Sequence, residues 1–167
     1  WDLISASAQT AHMHMALDEV LLGRVTAGAR RPAIRFWEWD ESALVIGSHQ
    51  SVSNEVDLPA AEGLGFSLTR RMSGGGTMLC EPGKTITYSM YVPGTSVDGL
   101  SFRQSYAALD AWAVRAFNAL GVPASCREVN ALISPGGKSA AEAPAPPTGC
   151  VPHPAHLAHP VPAARCP

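Results

Sequence analysis

Apolar residues recur along the first 138 positions at the two spacings that mark helices and strands. Residues 10–27 predict an amphipathic helix: Thr10 stands where a cap belongs, Met13, Leu17, Val20 and Leu21 share a face, and Gly28 can end it. AIRFWEWD (33–40) and ALVIGSHQ (43–50) are apolar, aromatic and β-branched, and the polar DES between them predicts a hairpin. NEVDLPAAEGLG (54–65) predicts a short helix capped by Asn54, and GFSLTRR (65–71) a strand that runs into glycines. TITYSMYV (85–92) alternates, with Ile86, Tyr88, Met90 and Val92 on one face. SFRQSYAALDAWAVRAFNALG (101–121) is the strongest helix. Ser101 and Gln104 form a capping box, Leu109, Trp112, Ala113, Ala116, Phe117 and Leu120 form the stripe, and Gly121 and Pro123 close it. EVNALIS (128–134) reads as a last strand. Strands and helices interleave, so the class is mixed α/β.

The pattern stops at Lys138. The remainder, SAAEAPAPPTGCVPHPAHLAHPVPAARCP, is mostly Ala and Pro and follows neither period. Proline at this density removes backbone donors and opposes regular structure. The chain therefore divides into 1–138 and a tail, 139–167, expected to be disordered. The whole, at 167 residues, suits one domain, and 46% apolar with 16% charged residues describes a globular protein. A net charge of −2 argues against bulk attraction to nucleic acid or an anionic membrane. No apolar run approaches the roughly 20 residues of a membrane helix. WDLISASAQT lacks the features of a signal peptide, and the four cysteines form no CxxC pair, so a reduced, cytoplasmic protein is expected.

The unusual chemistry is RRMSGGGTM (70–78). Three consecutive glycines weaken any helix or strand, and the compensation is a ligand that needs the backbone close. Backbone N–H groups suit an anion, Arg70 and Arg71 add planar donors, and Ser73 adds a hydroxyl. The alternative is a glycine-rich turn with surface arginines. Two nucleotide motifs fail on inspection. MLCEPGKT (78–85) has Met78 where a Walker A loop needs glycine, and Gly74 and Gly76 are followed by Leu79 where a dinucleotide fingerprint needs its third glycine.

RRMSGGGTMLCEPGKTITYS resembles the signature of lipoate–protein ligases, within the wider biotin/lipoate ligase catalytic domain. HMALDEVLL (14–22) is similar to the family's first helix, and RFWEWDESALVIGSHQSVSNEV (35–56) to its hairpin and GxxQ-x-x-x-x-E segment. SYAALDAWAVRAFNALGV (105–122) resembles its central helix, and VNALISPGGK (129–138) its N-D-[IL] and G-[RK]-K steps. The resemblance implies a mixed, mainly antiparallel sheet flanked by helices, similar to class II synthetases and biotin ligases, with only the N-terminal part present. It implies that ATP and Mg²⁺ activate lipoate or octanoate to an acyl-adenylate. The acyl group then passes to a lysine of a lipoyl carrier domain, in a 2-oxo acid dehydrogenase or a glycine cleavage protein. Carried over by position, Arg71 holds phosphate. Gly76, Thr77, Met78 and Leu79 present backbone to ATP, and Gly74 and Gly75 admit the acyl chain and phosphate. Lys138 is the catalytic residue, touching both acyl carbonyl and α-phosphate.

Three departures stand out. Ala131 follows Asn130 where the family has aspartate, and Cys80 stands where some members have histidine. After Lys138 the family pattern is lost, as in a GC-rich gene read in a shifted frame. Residues from about 139 are therefore expected to be an out-of-frame tail, with roughly another hundred residues of the domain absent. Cys150, His153, His156, His159 and Cys166 could be read as zinc ligands, but the prolines argue for no metal site. His12 and His14 are expected to be structural. An octanoyltransferase of the same superfamily is the nearest alternative. It needs a thiolate and no ATP, and Cys126 is its nearby candidate, off the expected spacing. The further alternative is an inactive remnant with weak ligand binding.

Overall fold

The computed structural model describes residues 1–127, 131–134, 137–142 and 150–158, and the side chains of residues 1–101 and 103–125. Two sheets share the molecule. In the larger, β1 (Asp2–Ser5) pairs in parallel with β2 (Ala33–Glu38), and β2 pairs antiparallel with β6 (Thr85–Pro93). Beyond β6 lie β10 (Cys150–Ala158), β9 (Gly137–Glu142), β8 (Ala131–Ser134) and β7 (Ser125–Arg127), all antiparallel. The smaller sheet sets β3 (Ala43–Ile46) between parallel β4 (Ser67–Arg70) and antiparallel β5 (Met78–Cys80). The class is mixed α/β, as the residue pattern predicts, and the sheets are mainly antiparallel, as the family resemblance implies.

Helix α1 (Ala11–Thr26) starts where Thr10 accepts the Met13 N–H at 3.4 Å and Glu41 accepts the Ala11 N–H at 2.7 Å. It buries Ala11, His14, Asp18, Leu21 and Val25. This face is rotated from the predicted one: Met13 is 48% and Val20 50% exposed. Apolar periodicity failed because two polar residues, His14 and Asp18, face inward to meet Arg35. Helix α4 (Phe102–Ala119) has the predicted capping box, and buries Leu109 and Ala113, while Leu120 is exposed.

The two helices enclose β2 and β6. Tyr88, Met90 and Val92 pack with Leu109 and Trp112 on the α4 side, and Tyr91 with Leu21 and Val25 on the α1 side. Strand β6 is thus buried on both faces except near its start, where Ile86 is exposed, so alternation showed only one of its two interior faces.

The predicted hairpin is not formed. β2 and β3 lie in different sheets, and the polar 40–42 turn carries the chain from one to the other. Trp39, anchored on Thr87 Oγ1 at 2.9 Å, holds the crossing in a cluster with Ala11, Trp37, Val45 and Cys80. The predicted helix at 54–65 is two: α2 (Val52–Glu55) and α3 (Leu58–Gly63). The cap of the second is Asp57, which accepts from Ala60 N–H, and not Asn54.

Strand β10 and most of β9 run through the stretch where the sequence shows no period. Their backbone groups find partners across the sheet, from Cys150 opposite Pro93 to Ala158 opposite Thr85. Pro152 and Pro154 in β10 have no N–H to donate. Asn130, His159 and Cys166 lie outside the described residues. Among the described residues no helix is long and apolar enough to cross a membrane.

Candidate functional site

Parallel β3 and β4 end side by side, Ile46 opposite Arg70, so the segments that follow them leave the sheet together. One is GSHQ (47–50). The other is the glycine loop, 71–77, which returns as β5. The ladder continues one step into the loop, where Arg71 N–H donates to Ile46 O at 3.0 Å.

Arg71 is buried beneath its own loop, 3% exposed. Its guanidinium donates to Gly74 O at 2.7 and 3.2 Å, Gly76 O at 2.8 Å and Val45 O at 2.9 Å. The loop is therefore wound around a cation, with carbonyls turned inward. Burial lowers the Arg71 pKa to about 10, so the group stays charged at neutral pH. The Cys80 thiol nearby is pushed up to about 12 by burial, and is protonated at neutral pH. No carboxylate pairs with Arg71 among the described residues, which leaves a positive field under the loop.

The loop also carries uncommitted donors. Among the described residues, no acceptor takes the N–H of Gly74, Gly75, Gly76 or Thr77, and Gly75 and Gly76 are exposed. Gly75 has φ +93°, which favours glycine. Ser73 Oγ is buried without a partner among the described residues, as is Ser48 Oγ in the neighbouring segment.

The neighbouring segment is locked to the loop. Arg70 Nη1 donates to Gly47 O at 2.8 Å, Ser48 O at 3.2 Å and Gln50 O at 2.8 Å. Ser48 N–H donates to Ser73 O at 2.9 Å. Gln50 Oε1 accepts from Gly47 N–H at 2.8 Å and from Thr77 Oγ1 at 3.2 Å. Thr77 Oγ1 also lies 3.4 Å from Glu55 Oε2.

Gly47 has no room for a side chain. A Cβ there would collide with the Gly75 carbonyl oxygen and come within 3.2 Å of the Gly74 carbonyl carbon. Gly47→Ala is expected to force the loop outward and cost about 1–3 kcal/mol, measured by urea unfolding.

Of the predicted site residues, the structure brings Arg70, Arg71, Ser73, Gly74, Gly75, Gly76 and Thr77 together. Met78 is half-buried against the core and Leu79 is exposed, both on β5 opposite Val45 and Leu44. Lys138 lies on β9 opposite Ile133, and its side chain lies outside the described residues. Gly47 and Gln50 were missed as site residues. Their signal was the GxxQ spacing directly after a strand. An apolar groove of about 400 Å³ between α4 and the large sheet, lined by Ile34, Met90, Leu109, Trp112 and Arg115 among others, shares no lining residue with either loop.

A second polar cluster lies under the large sheet. Asp18 accepts from Arg35 Nη2 at 2.6 Å, Ser89 Oγ at 3.0 Å and the Tyr91 hydroxyl. Burial pushes the Asp18 carboxyl up, while Arg35 and the two hydroxyls pull it back. Arg35 sits 3.8 Å from the Trp37 ring centroid, on which His14 is also stacked. His14 Nε2–H donates to Glu38 O at 2.9 Å, and Nδ1 accepts from Arg35 at 3.4 Å, which fixes a neutral tautomer. Burial, reinforced by Arg35, lowers the His14 pKa to about 4.

The unfolded chain therefore takes up this proton first, near pH 6.5, so the His14 contribution to stability rises with pH between about 4 and 6.5. Asp18, held up by burial, acts in the opposite sense where the native state keeps a proton that the unfolded chain has released. The difference in unfolding free energy between wild type and His14→Gln isolates the histidine. It is expected to grow by roughly 2–3 kcal/mol from pH 4 to pH 7.

The lipoyl protein ligase A/B catalytic domain matches residues 10–151, most of the chain. The chain belongs to that family. Among its relatives, the octanoyltransferase LipM of Staphylococcus aureus is 38% identical over 93 residues, 56% of this chain and 33% of that protein. The chain thus spans about a third of that relative's length. Its fold is that of solved lipoate–protein ligases. A bipartite lipoate–protein ligase from Thermoplasma acidophilum superimposes with TM-score 0.82 at 24% identity, over 94% of this chain and 60% of the other. A lipoate–protein ligase A solved with ATP does so with TM-score 0.81 at 21% identity, over 94% and 66%.

Proposed function

We propose that the glycine loop binds the reacting anions of an ATP-dependent acyl activation. In this reading octanoate or lipoate attacks the α-phosphorus of ATP, pyrophosphate leaves, and a lysine amine of a lipoyl carrier domain takes the acyl group from the resulting anhydride. The observation that carries it is the charged, buried Arg71 under a loop whose N–H groups at 74–77 have no acceptor among the described residues. Such a loop stabilises negative charge without reorganising during reaction. Arg71, spent on carbonyls, acts by shaping the loop and by its field, while the loop N–H groups make the direct contacts. Lys138 supplies the mobile positive charge at the acyl carbonyl and α-phosphate.

Mg²⁺ would accompany ATP. Among the described residues no three His, Cys, Asp or Glu side chains come together to hold a metal ion, and Ala131 replaces the family's aspartate.

The second reading, octanoyl transfer without ATP, is favoured by the LipM relatives. It requires a thiolate nucleophile. Cys80 cannot serve, being buried and protonated. Among the described residues, Cys126 on β7 and Cys150 at the start of β10 remain.

A transfer assay separates the two readings. The chain is mixed with a lipoyl domain and either octanoate, ATP and Mg²⁺, or an octanoyl thioester alone, and the domain is weighed by mass spectrometry. Octanoylation only in the first mixture supports the ligase. Octanoylation from the thioester alone supports the transferase and contradicts the ligase reading. No product in either mixture identifies an inactive remnant.

A further inference from the structure

Gln50 joins the two loops, yet half of its side chain is unspent. A backbone N–H can only donate, so the Gly47 contact at 2.8 Å fixes which end of the carboxamide is oxygen. That oxygen also takes Thr77 Oγ1 at 3.2 Å. With the oxygen held from both loops, the position of Nε2 follows. Its two N–H groups meet no acceptor among the described residues, although Gln50 is half-buried.

They are not alone. The unspent N–H groups of Gly74, Gly75, Gly76 and Thr77 lie on the adjoining loop, as does Ser73 Oγ, fully buried without a partner among the described residues. A buried hydroxyl left unpaired is costly, so its presence at this junction, with Ser48 Oγ likewise unpartnered on the segment whose N–H meets Ser73 O, marks a place where polar groups await a ligand.

We propose that Gln50 is a ligand-binding residue whose carboxamide N–H groups donate to an anionic oxygen of the substrate held at the glycine loop. This rests on the reading of that loop as the substrate-anion site. The oxygen belongs to the acyl carboxylate or to a nucleotide phosphate, which present the same acceptor chemistry.

The test uses the full chain and two probes in separate titrations, sodium octanoate and ATP. Gln50→Glu keeps an oxygen for Gly47 N–H and Thr77 but loses both donors. Gln50→Met, similar in shape and uncharged, separates loss of the donors from added repulsion. Wild type is expected to bind at least one probe, and both variants to bind that probe roughly tenfold or more weakly, as befits a hydrogen bond to a charged group. The unfolding midpoint of Gln50→Glu is expected to match wild type. The probe that weakens identifies the oxygen. Variants that bind both probes like wild type overturn the proposal while leaving the loop reading intact. A Gln50→Glu midpoint that falls together with affinity shows a purely structural role and overturns it. A wild type that binds neither probe overturns the loop reading and the proposal with it.

Discussion

Replacing Lys138 with alanine is expected to lower acid-dependent pyrophosphate release from ATP by roughly 10²–10³-fold. Activation of a carboxylate places two anions in contact, and negative charge moves onto the α-phosphate oxygens as the new bond forms. In the proposed reading the loop N–H groups, fixed in the backbone, serve only one side of that centre. Arg71 is tied to three backbone carbonyls and cannot follow the charge. The chemistry therefore calls for a flexible cation, and Lys138, on β9, is the one that the family resemblance assigns. Lys138→Arg is expected to restore part of the rate at best, because a planar fork does not reproduce a point charge shared between two oxygens. Unfolding midpoints close to wild type in both variants exclude a folding defect. Unchanged pyrophosphate release in Lys138→Ala would sink the assignment.

The second large effect concerns stability. Asp18→Asn is expected to cost about 3–5 kcal/mol, because it leaves the Arg35 guanidinium buried without its anion. Arg35 is 1% exposed and Asp18 6%, so water cannot replace the lost partner. The carboxylate also accepts from Ser89 and Tyr91 of β6, so one side chain of α1 ties the helix to two strands. In a domain of this size the loss corresponds to a fall of roughly 10 °C or more in unfolding midpoint. Arg35→Met alone is expected to be comparably harmful. The double variant is expected to cost clearly less than the sum, since a buried pair can be exchanged for apolar side chains at little net cost. Additive losses in that cycle would show that the pair is not the coupling element.

These residues also explain what could be read in advance. The glycine loop was legible because three adjacent glycines after two arginines have no purpose in a regular element. The Ser101 and Thr10 caps were legible because capping is local. Asn54 was misread because Val56 leaves the helix and a second start at Asp57 follows directly. The buried face of α1 was misplaced because an ion pair, not an apolar stripe, fills its centre. Strand pairing was illegible at the 40–42 turn: alternation marks a strand but does not name its neighbour. Gly47 was hidden for a related reason. Its requirement comes from the Gly75 carbonyl, 28 positions later, and only the folded chain brings them together. Gln50 needed the same long-range information, since Thr77 anchors it from the other loop.

The most direct test is octanoate-dependent exchange of labelled pyrophosphate into ATP by the purified chain, without any carrier domain. It reads the activation step alone. Exchange that requires both octanoate and ATP is the expected result. Absence of exchange from a chain that nevertheless moves octanoate from a thioester to a lipoyl domain would contradict it.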